Sequence, residues 1–504
     1  MWGFTRSPVH PFTRSLPLLN MPNDILKQFT PFFEPKTIAV VGASARSFAL
    51  PNTFIRRIRE LGYAGDIYPI HPNAAEIDGL PAYKSLADTP KPIDYAYIAV
   101  AGGLIPAMLE AANGRLRFAH VISSGFAEVD EGRDLQEKLV AAARAGGLRL
   151  VGPNCMGLFS PRGRVTFAEV GQRDVGAVGI VSQSGGLGTD VIRRGYTRGV
   201  KFSAVVTAGN CADVVPSELL EYYFADAQTR VIGLYLETAK DGRRLFELLR
   251  AARAKKPVVI LKGGRTQQGL AAAASHTGSL AGDDRAWVAL SRQTGCVLVD
   301  TLDQFVDTLL IFQSLTPKGT QPTQQVTLFG NGGGTSVLAT DYFARLGLDV
   351  TPFDASTIDA LASLKLPPGT SITNPVDCPV GTLQQDNGRV AEKILDIIYR
   401  NGKPDALVMH LNLSAFVGRS KPEVLDNLMA AALRVQQKYP GQAHFLLVLR
   451  SDGEPALEER KRAFRDKANA LGVPVYDEMS NAGHALAALK THERFVYTRS
   501  GKIL

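Results

Sequence analysis

Cysteine is scarce in this chain: the four residues Cys155, Cys211, Cys296 and Cys378 stand far apart among 504 and form no CxxC pair. That spacing excludes a disulfide framework and the common zinc modules, and it suits a reducing cytoplasm. Long apolar runs are missing as well. The most hydrophobic stretches, such as Thr37–Val41 and Val258–Leu261, are strand-length and fall well short of the roughly 18 residues of a membrane span. No segment matches the GxxxxGK[ST] phosphate loop, and no histidine, His410 and His484 included, has the spacing of a metal ligand set. Acidic residues are absent from the first twenty positions, MWGFTRSPVHPFTRSLPLLN. Arg and Ser without acid is the composition of a transit segment. Met21, however, directly precedes a helix-like stretch, so residues 1–30 are expected to be an extension or an upstream start outside the fold.

What is present is ordinary for a globular protein: 45% hydrophobic and 21% charged residues, too apolar for disorder. The length calls for about three domains. The net charge of +8 is dispersed. Arg56, Arg57 and Arg59 stand at helical spacing among apolar residues and read as a solvated helix face, not as a nucleic-acid surface. The same positive balance would attract a polyphosphate ligand.

From Lys36 onward strand-like runs alternate with amphipathic stretches, the rhythm of an α/β protein with parallel sheets. A first block, 31–160, has strands at Thr37–Val41, Asp66–Ile70 and Tyr95–Val100, with a helix at Asn52–Leu61, and closes near Gly152-Pro153-Asn154. A second, 170–313, opens with strand Val178–Val181 and continues through Val231–Leu236 and Val258–Leu261. Residues 314–325, rich in Thr, Pro, Gly and Gln, read as a linker. A third block, 326–490, repeats the strand, glycine loop and helix opening at Val326–Phe329, and its later strands complete a five-strand flavodoxin-type pattern. Residues 491–504 read as a tail.

Each block therefore begins with a glycine turn between strand and helix, where free amides and the helix dipole attract an anion. The first, Val41-Gly42-Ala43-Ser44, lacks the full GxGxxG spacing. The strand Asp66–Ile70 ends in His71-Pro72-Asn73 and supplies no carboxylate for an NAD ribose, which disfavours a dehydrogenase.

The segments KTIAVVGAS, GYAGDIYPIHPNAAEIDG, ISSGFAE and GPNCMGLFSP, in that order, resemble the CoA-binding domain of the NDP-forming acyl-CoA synthetases, the family that includes succinyl-CoA synthetase. The resemblance implies a Rossmann-like CoA-binding domain followed by two flavodoxin-like, doubly wound parallel-sheet domains. It also implies that Gly42, Ala43, Ser44, Ala45, Arg46 and Ser47 meet the CoA phosphates, with Ser123, Ser124 and Gly125 against the cofactor's other side. Where the family carries a Gly-Lys pair after the serine, this chain has Arg46, Ser47, Phe48 and Ala49, so Arg46 would supply the charge. A Lys common after the His-Pro turn is replaced by Asn73 and Ala74.

Gly264-Arg265 followed by AASHTGSLAG resembles the family's phosphohistidine loop and implies His276 as the phosphoryl carrier. A neutral imidazole is a competent nucleophile when a partner fixes its proton. The resemblance gives that role to Glu237, which Thr238 follows here in place of the usual glycine. For the phosphate it implies two helix starts: Ser182, Gln183, Ser184, Gly185 and Gly186 in the second block, and Asn331, Gly332, Gly333 and Gly334 in the third. The stretch Ser371–Asp377 also matches the third domain, without an evident role. Cys155, in the Gly-Pro-Asn-Cys turn, reads as packing or pocket lining, since a catalytic thiol needs a base and a depressed pKa.

The resemblance runs from about residue 30 to about 490 and lacks the family's ATP-grasp module. It therefore implies a hetero-oligomer: this chain binds CoA and carries phosphate, while a beta-type ATP-grasp subunit holds ATP or ADP with Mg²⁺ and a small carboxylic acid is the substrate. Two other readings stay open from sequence. A non-catalytic CoA sensor or scaffold would never become phosphorylated at His276, and a nucleotide-independent CoA acyltransferase would exchange acyl groups without phosphate. The identity of the acid is not legible.

Overall fold

A computed structural model of the chain describes residues 22–46, 49–169, 173–277, 283–416, 420–421 and 423–501; the side chains of 22–23 and 274–277 lie outside this set. Three parallel sheets form, each with helices on both faces. The first orders its strands Asp66–Ile70, Thr37–Val41, Ile93–Ile98, Leu116–Val121, Arg149–Val151. The third orders Val376–Asp377, Val326–Gly330, Ala406–Asn412, His444–Arg450, Val475–Tyr476 in the same 2-1-3-4-5 succession. The second follows it with Phe202–Thr207, Val178–Ser182, Val231–Leu236, Val258–Lys262 and Val297–Val299. Continuous burial along Thr37–Val41, Val178–Ser182 and Val326–Gly330 explains why these strands read as unbroken apolar runs. In each sheet the order reverses beside the first strand, which is where open α/β sheets place ligands.

The blocks meet differently from the sequence expectation in four places. The short strand Leu158–Phe159, expected inside the first block, pairs antiparallel with Phe202–Thr207 and completes a six-stranded second sheet. The expected boundary at residue 30 falls inside the helix Pro22–Phe33, whose Phe29, Phe32 and Phe33 are fully buried. Phe32 packs on Phe118 of the first sheet and Phe33 stacks at 4.1 Å on Tyr222 of the second block, so this helix wedges the two together. Each buried Phe contributes about 2 kcal/mol.

The expected tail at 491 is likewise part of a helix, Met479–Arg499, that crosses from the third block to the second. Its Asn481 amide donates to Asp307 at 2.6 Å, and its buried His492 ring pairs with the Gly295 carbonyl at 3.2 Å. Nor is the polar stretch 314–325 a free linker. Glu493 accepts the amides of Lys318 and Thr323, both at 2.7 Å, and Asp405 accepts those of Gln324 and Gln325 at 2.9 and 2.8 Å. The Lys318 ammonium meanwhile donates to the carbonyls of Asp405 and Gln442. Polar composition here reflects many backbone tethers.

Glu493 is wholly buried and also accepts from the His444 ring at 2.8 Å. Burial pushes its carboxyl up, but the His444 ring and the two amides outweigh it and hold the group below its ordinary range. A depressed carboxylate contributes stability that is present above its unfolded pKa and lost as pH falls through the folded one. Glu493→Ala is expected to lower unfolding stability by about 3 kcal/mol at neutral pH. In denaturant titrations the difference should shrink as pH drops below the carboxylate range; a pH-independent difference contradicts this.

Candidate functional site

The three glycine turns lie at the carboxyl edges of the sheets. At the first, Gly42 has φ +99°, and a Cβ there would stand 2.3 Å from the Ala99 carbonyl oxygen, so only glycine fits. Beside it Ala43 is buried, and the Ser44 main chain is clamped by Asn52, whose side chain accepts its amide at 2.8 Å and donates to its carbonyl at 3.0 Å. The Ser44 hydroxyl accepts the Arg46 amide at 3.1 Å. Ala45 and Arg46 face solvent, while Ser47 lies outside the described residues. Across the same edge, Ser123 donates to the Val100 carbonyl, Ser124 and Gly125 are exposed, and a Cβ on Gly125 would meet nothing within 4 Å. Open backbone on one side and an exposed basic loop on the other fit a large polyanionic cofactor. Glu128 ties this edge to the second block: it accepts the amides of Gly125 and Phe126 and the side-chain amide of Asn210. Burial pushes the Glu128 carboxyl up, but these donors hold it below its usual range.

At the second turn Ser184 caps the helix Gly185–Arg198 by accepting the Leu187 amide at 3.3 Å, and Ser182 donates to the Ser184 carbonyl at 2.6 Å. A Cβ on Gly185 would collide with Met156, whereas Gly186 faces open space. Gln183 is the linking residue. Its carbonyl oxygen accepts the amides of Glu237 and Thr238, at 2.6 and 3.0 Å, so the turn and the end of strand Val231–Leu236 are locked together. Glu237 is buried at 6% exposure and accepts from Tyr235 at 3.0 Å. In the strand register Leu236 pairs with Lys262, which brings Glu237 beside Gly263, the start of the segment leading to His276. His276 falls in the last turn of the helix Gln267–Thr277; its side chain lies outside the described residues.

The third turn belongs to the neighbouring sheet, coupled to the second through the packed helices Leu302–Ser314 and Met479–Arg499. Gly332, at φ +117°, heads the helix Gly333–Arg345 and donates its amide to Asp377 at 2.8 Å. Asn331 is buried, its side-chain oxygen accepting the Asn412 amide at 2.9 Å. A Cβ on Gly333 would stand 3.0 Å from the Asp377 carboxylate, and one on Gly334 would meet nothing. Arg450, at the end of strand His444–Arg450, donates to the Thr335 hydroxyl over this turn.

Several of these residues escaped sequence reasoning. Asp377 and Asn374 brace the third turn, which gives the Ser371–Asp377 stretch its role; Asn374 accepts the Leu328 amide at 3.1 Å. Lys262 closes a strand of otherwise apolar residues and Arg450 follows the apolar run Phe445–Leu449, a signal that sequence offered. Lys262 is buried at 5% exposure, donates to the Glu237 carbonyl at 2.9 Å and lies 5.5 Å over the Trp287 ring; burial pushes its pKa down. Cys155 is buried, with its thiol pushed well up by desolvation, and it donates to the Val121 carbonyl at 3.2 Å, the behaviour of a packing residue.

The CoA binding domain model matches residues 36–161, and the succinyl-CoA ligase like flavodoxin domain model residues 175–312. The chain is 34% identical over 472 residues to subunit alpha of acetate–CoA ligase (ADP-forming) I of Pyrococcus furiosus, covering 91% of this chain and 96% of that relative. It belongs to the ADP-forming acetate–CoA ligase family. Subunit alpha of acetate–CoA ligase (ADP-forming) II from the same organism is 31% identical over 462 residues, again covering 91% and 96%. Among solved structures, the dinucleotide forming acetyl-coenzyme A synthetase 1 of Ca. Korarchaeum cryptofilum, in complex with phosphate and ADP, superposes with a TM-score of 0.79 at 27% identity. It spans 94% of this chain and 99% of its own. The first block is thus the family's CoA-binding domain, and the second its flavodoxin-like ligase domain. Among the described residues no helix is long and apolar enough to cross a membrane.

Within this ligase-family scaffold two buried histidines brace the edges. His120 bonds Tyr95 and the Thr207 carbonyl, and His410 lies against Ser336 at 3.2 Å. Burial lowers both to about 4, with Arg450 adding to the effect at His410. A histidine depressed below its unfolded value stabilises the fold above that value and loses the contribution as pH falls through the folded one. Denaturant stability is therefore expected to decline between the ordinary histidine value of 6.5 and about 4 as pH falls, with both rings titrating near the lower limit by NMR. Constant stability across that window contradicts the assignment.

Proposed function

We propose that the chain is the CoA-binding, phosphohistidine-carrying subunit of an ADP-forming acyl-CoA ligase, interconverting acid, CoA and ATP with acyl-CoA, ADP and phosphate. The carrying observation is its match along 96% of the alpha subunits of two such ligases. The register that sets Glu237 beside Gly263, where the chain leading to His276 begins, supports it. A beta-type ATP-grasp subunit would hold ATP or ADP with Mg²⁺ and load the histidine; we place both subunits in the cytoplasm, all four cysteines being free and buried.

In this reading Ser44, Ala45, Arg46 and Ser47 hold the CoA phosphates beyond the tight Gly42-Ala43 turn, and Ser123, Ser124 and Gly125 bear on its other side. Coenzyme A, when bound, supplies the thiol sulfur that takes the acyl group as phosphate departs. Glu237 accepts a hydrogen bond from one ring N–H of His276, which fixes the tautomer and leaves the lone pair of the other nitrogen for phosphorus. During synthesis the phosphoryl group leaves that nitrogen for a carboxylate oxygen of the acid. The P–N bond breaks, a P–O bond forms, and the electron pair remains on the imidazole. The helix starts at Gly185-Gly186 and Gly333-Gly334 meet the phosphate charge, each contributing roughly half a positive charge. Because neither terminus can lose a proton, both keep their charge while phosphate comes and goes.

With an ATP-grasp subunit supplied, His276→Asn is expected to abolish ATP-dependent acyl-CoA formation while CoA affinity by calorimetry stays within about twofold. Glu237→Gln should slow turnover by about a hundredfold through loss of ring orientation. Turnover retained by His276→Asn excludes the mechanism.

A further inference from the structure

A cavity of about 410 Å³ that shares no residue with the three glycine turns lies against the outer face of the helix Leu50–Leu61. This helix buries Phe54, Ile55 and Ile58 and turns the opposite stripe outward. Thr53, Arg56, Arg57 and Glu60, spaced i, i+3, i+4 and i+7 on that stripe, form one wall of the cavity. Thr166, Glu169 and Arg173, from the chain that leads out of the CoA-binding domain, stand on the other. The arginines that read from sequence as a solvated helix face therefore line a concave site.

Its cations are held in place by neutral groups. Arg57 crosses to the far wall and donates to the Phe167 carbonyl at 2.5 Å, and Arg173 reaches back to donate to the Glu60 carbonyl at 2.8 Å. Arg56 donates to the Thr53 hydroxyl at 3.1 Å. On the far wall Thr166 is buried, its hydroxyl donating to the Ala168 carbonyl at 2.7 Å, and Arg164 donates to the Arg173 carbonyl at 2.8 Å. Carbonyl and hydroxyl acceptors orient a guanidinium without cancelling its charge. Glu60 and Glu169, both exposed, offset part of the three positive charges and leave the half-buried Arg56 and Arg57 end cationic.

The CoA loop is served by a different stripe of the same helix. Asn52, which clamps Ser44, donates to the Asp78 carboxylate at 3.1 Å, and Arg59 donates to the Asp78 carbonyl at 3.0 Å. Asn52 and Arg59 lie seven residues apart on one line, and the cavity stripe is about a quarter turn around the helix from it. Paired guanidinium forks match the oxygens of a phosphate. The volume is that of a small-molecule site, and inorganic phosphate, a few times the roughly 30 Å³ share of a water molecule, would fill only part of it. We propose that this cavity is a second anion site, filled independently of CoA, for a hydroxyl-bearing phosphate monoester such as a sugar phosphate. The phosphate lies on Arg56 and Arg57, and the hydroxyls donate to Glu60 and Glu169. Nothing in this assignment depends on the ligase reading. Because one wall is the helix behind the CoA loop and the other the chain running toward the ligase domain, an occupant ties the two together.

Calorimetric titration of ribose 5-phosphate into the full-length chain, with CoA held at saturation, is expected to show binding at least roughly tenfold tighter than that of inorganic phosphate or of ribose. Leaving CoA out should change the affinity by less than about twofold. Arg56→Gln should weaken ribose 5-phosphate about tenfold. Thr53→Glu, which sets a carboxylate beside Arg56 and leaves the Arg57 tether to Phe167 in place, should weaken it by a similar factor. Both variants should keep the parent circular dichroism spectrum and CoA affinity, which separates loss of this site from loss of the fold. Absence of ribose 5-phosphate binding, displacement by CoA, equal affinity for inorganic phosphate, or unchanged binding in both variants overturns the assignment.

Discussion

One side chain holds the chemistry of this edge together. The Gln183 carbonyl oxygen accepts the amides of both Glu237 and Thr238, while its own main-chain amide donates to Tyr235 at 3.1 Å. The helix start that would face phosphate and the carboxylate that would orient the phosphoryl carrier are thereby fixed to each other. Each such bond adds only about 1 kcal/mol to stability. Its larger effect is positional, since two groups that must act on one imidazole cannot drift apart. Beneath them, the fully buried strand Val178–Ser182 and the largely buried strand Val231–Leu236 supply the rigidity that makes the lock meaningful.

Around this edge the chain uses the same solution three times. A 2-1-3-4-5 parallel sheet places the end of its first strand at the reversal point, a glycine there admits the close backbone turn, and a helix start faces outward. Gly42, packed against Ala99, Gly185, packed against Met156, and Gly330, packed against His410, each occupy a place where a Cβ would collide. Fusion of the three units is then a matter of packing. The helix Pro22–Phe33 wedges the first to the second, and the helices Leu302–Ser314 and Met479–Arg499 join the second to the third. The buried carboxylates Glu493 and Asp405 pin the intervening chain.

The parallel-sheet architecture was legible because buried strands are continuous apolar runs and glycine turns follow them; Thr37–Val41, Asp66–Ile70 and Val231–Leu236 have the bounds the sequence suggested. The joins were not. Leu158–Phe159 is too short to carry a period, and its pairing with Phe202–Thr207 is a tertiary fact. The helix Pro22–Phe33 was cut because its apolar face, Phe29, Phe32 and Phe33, straddles the expected boundary at residue 30. Residues 314–325 read as loose because composition records polarity but not which carboxylate accepts each amide. At the site the glycine turns and Glu237 could be named individually. The Gln183 lock, the Asp377 brace and the Lys262–Trp287 contact could not, since they join residues tens of positions apart.

The central claim is that His276 carries phosphate. Incubating the chain alone with ³²P-phosphate and acetyl-CoA, then mapping the label by mass spectrometry, tests it without any nucleotide. The account predicts an acid-labile, base-stable phosphate on residue 276, formed only when an acyl-CoA is present. Label on another residue, or no label at all, would contradict it.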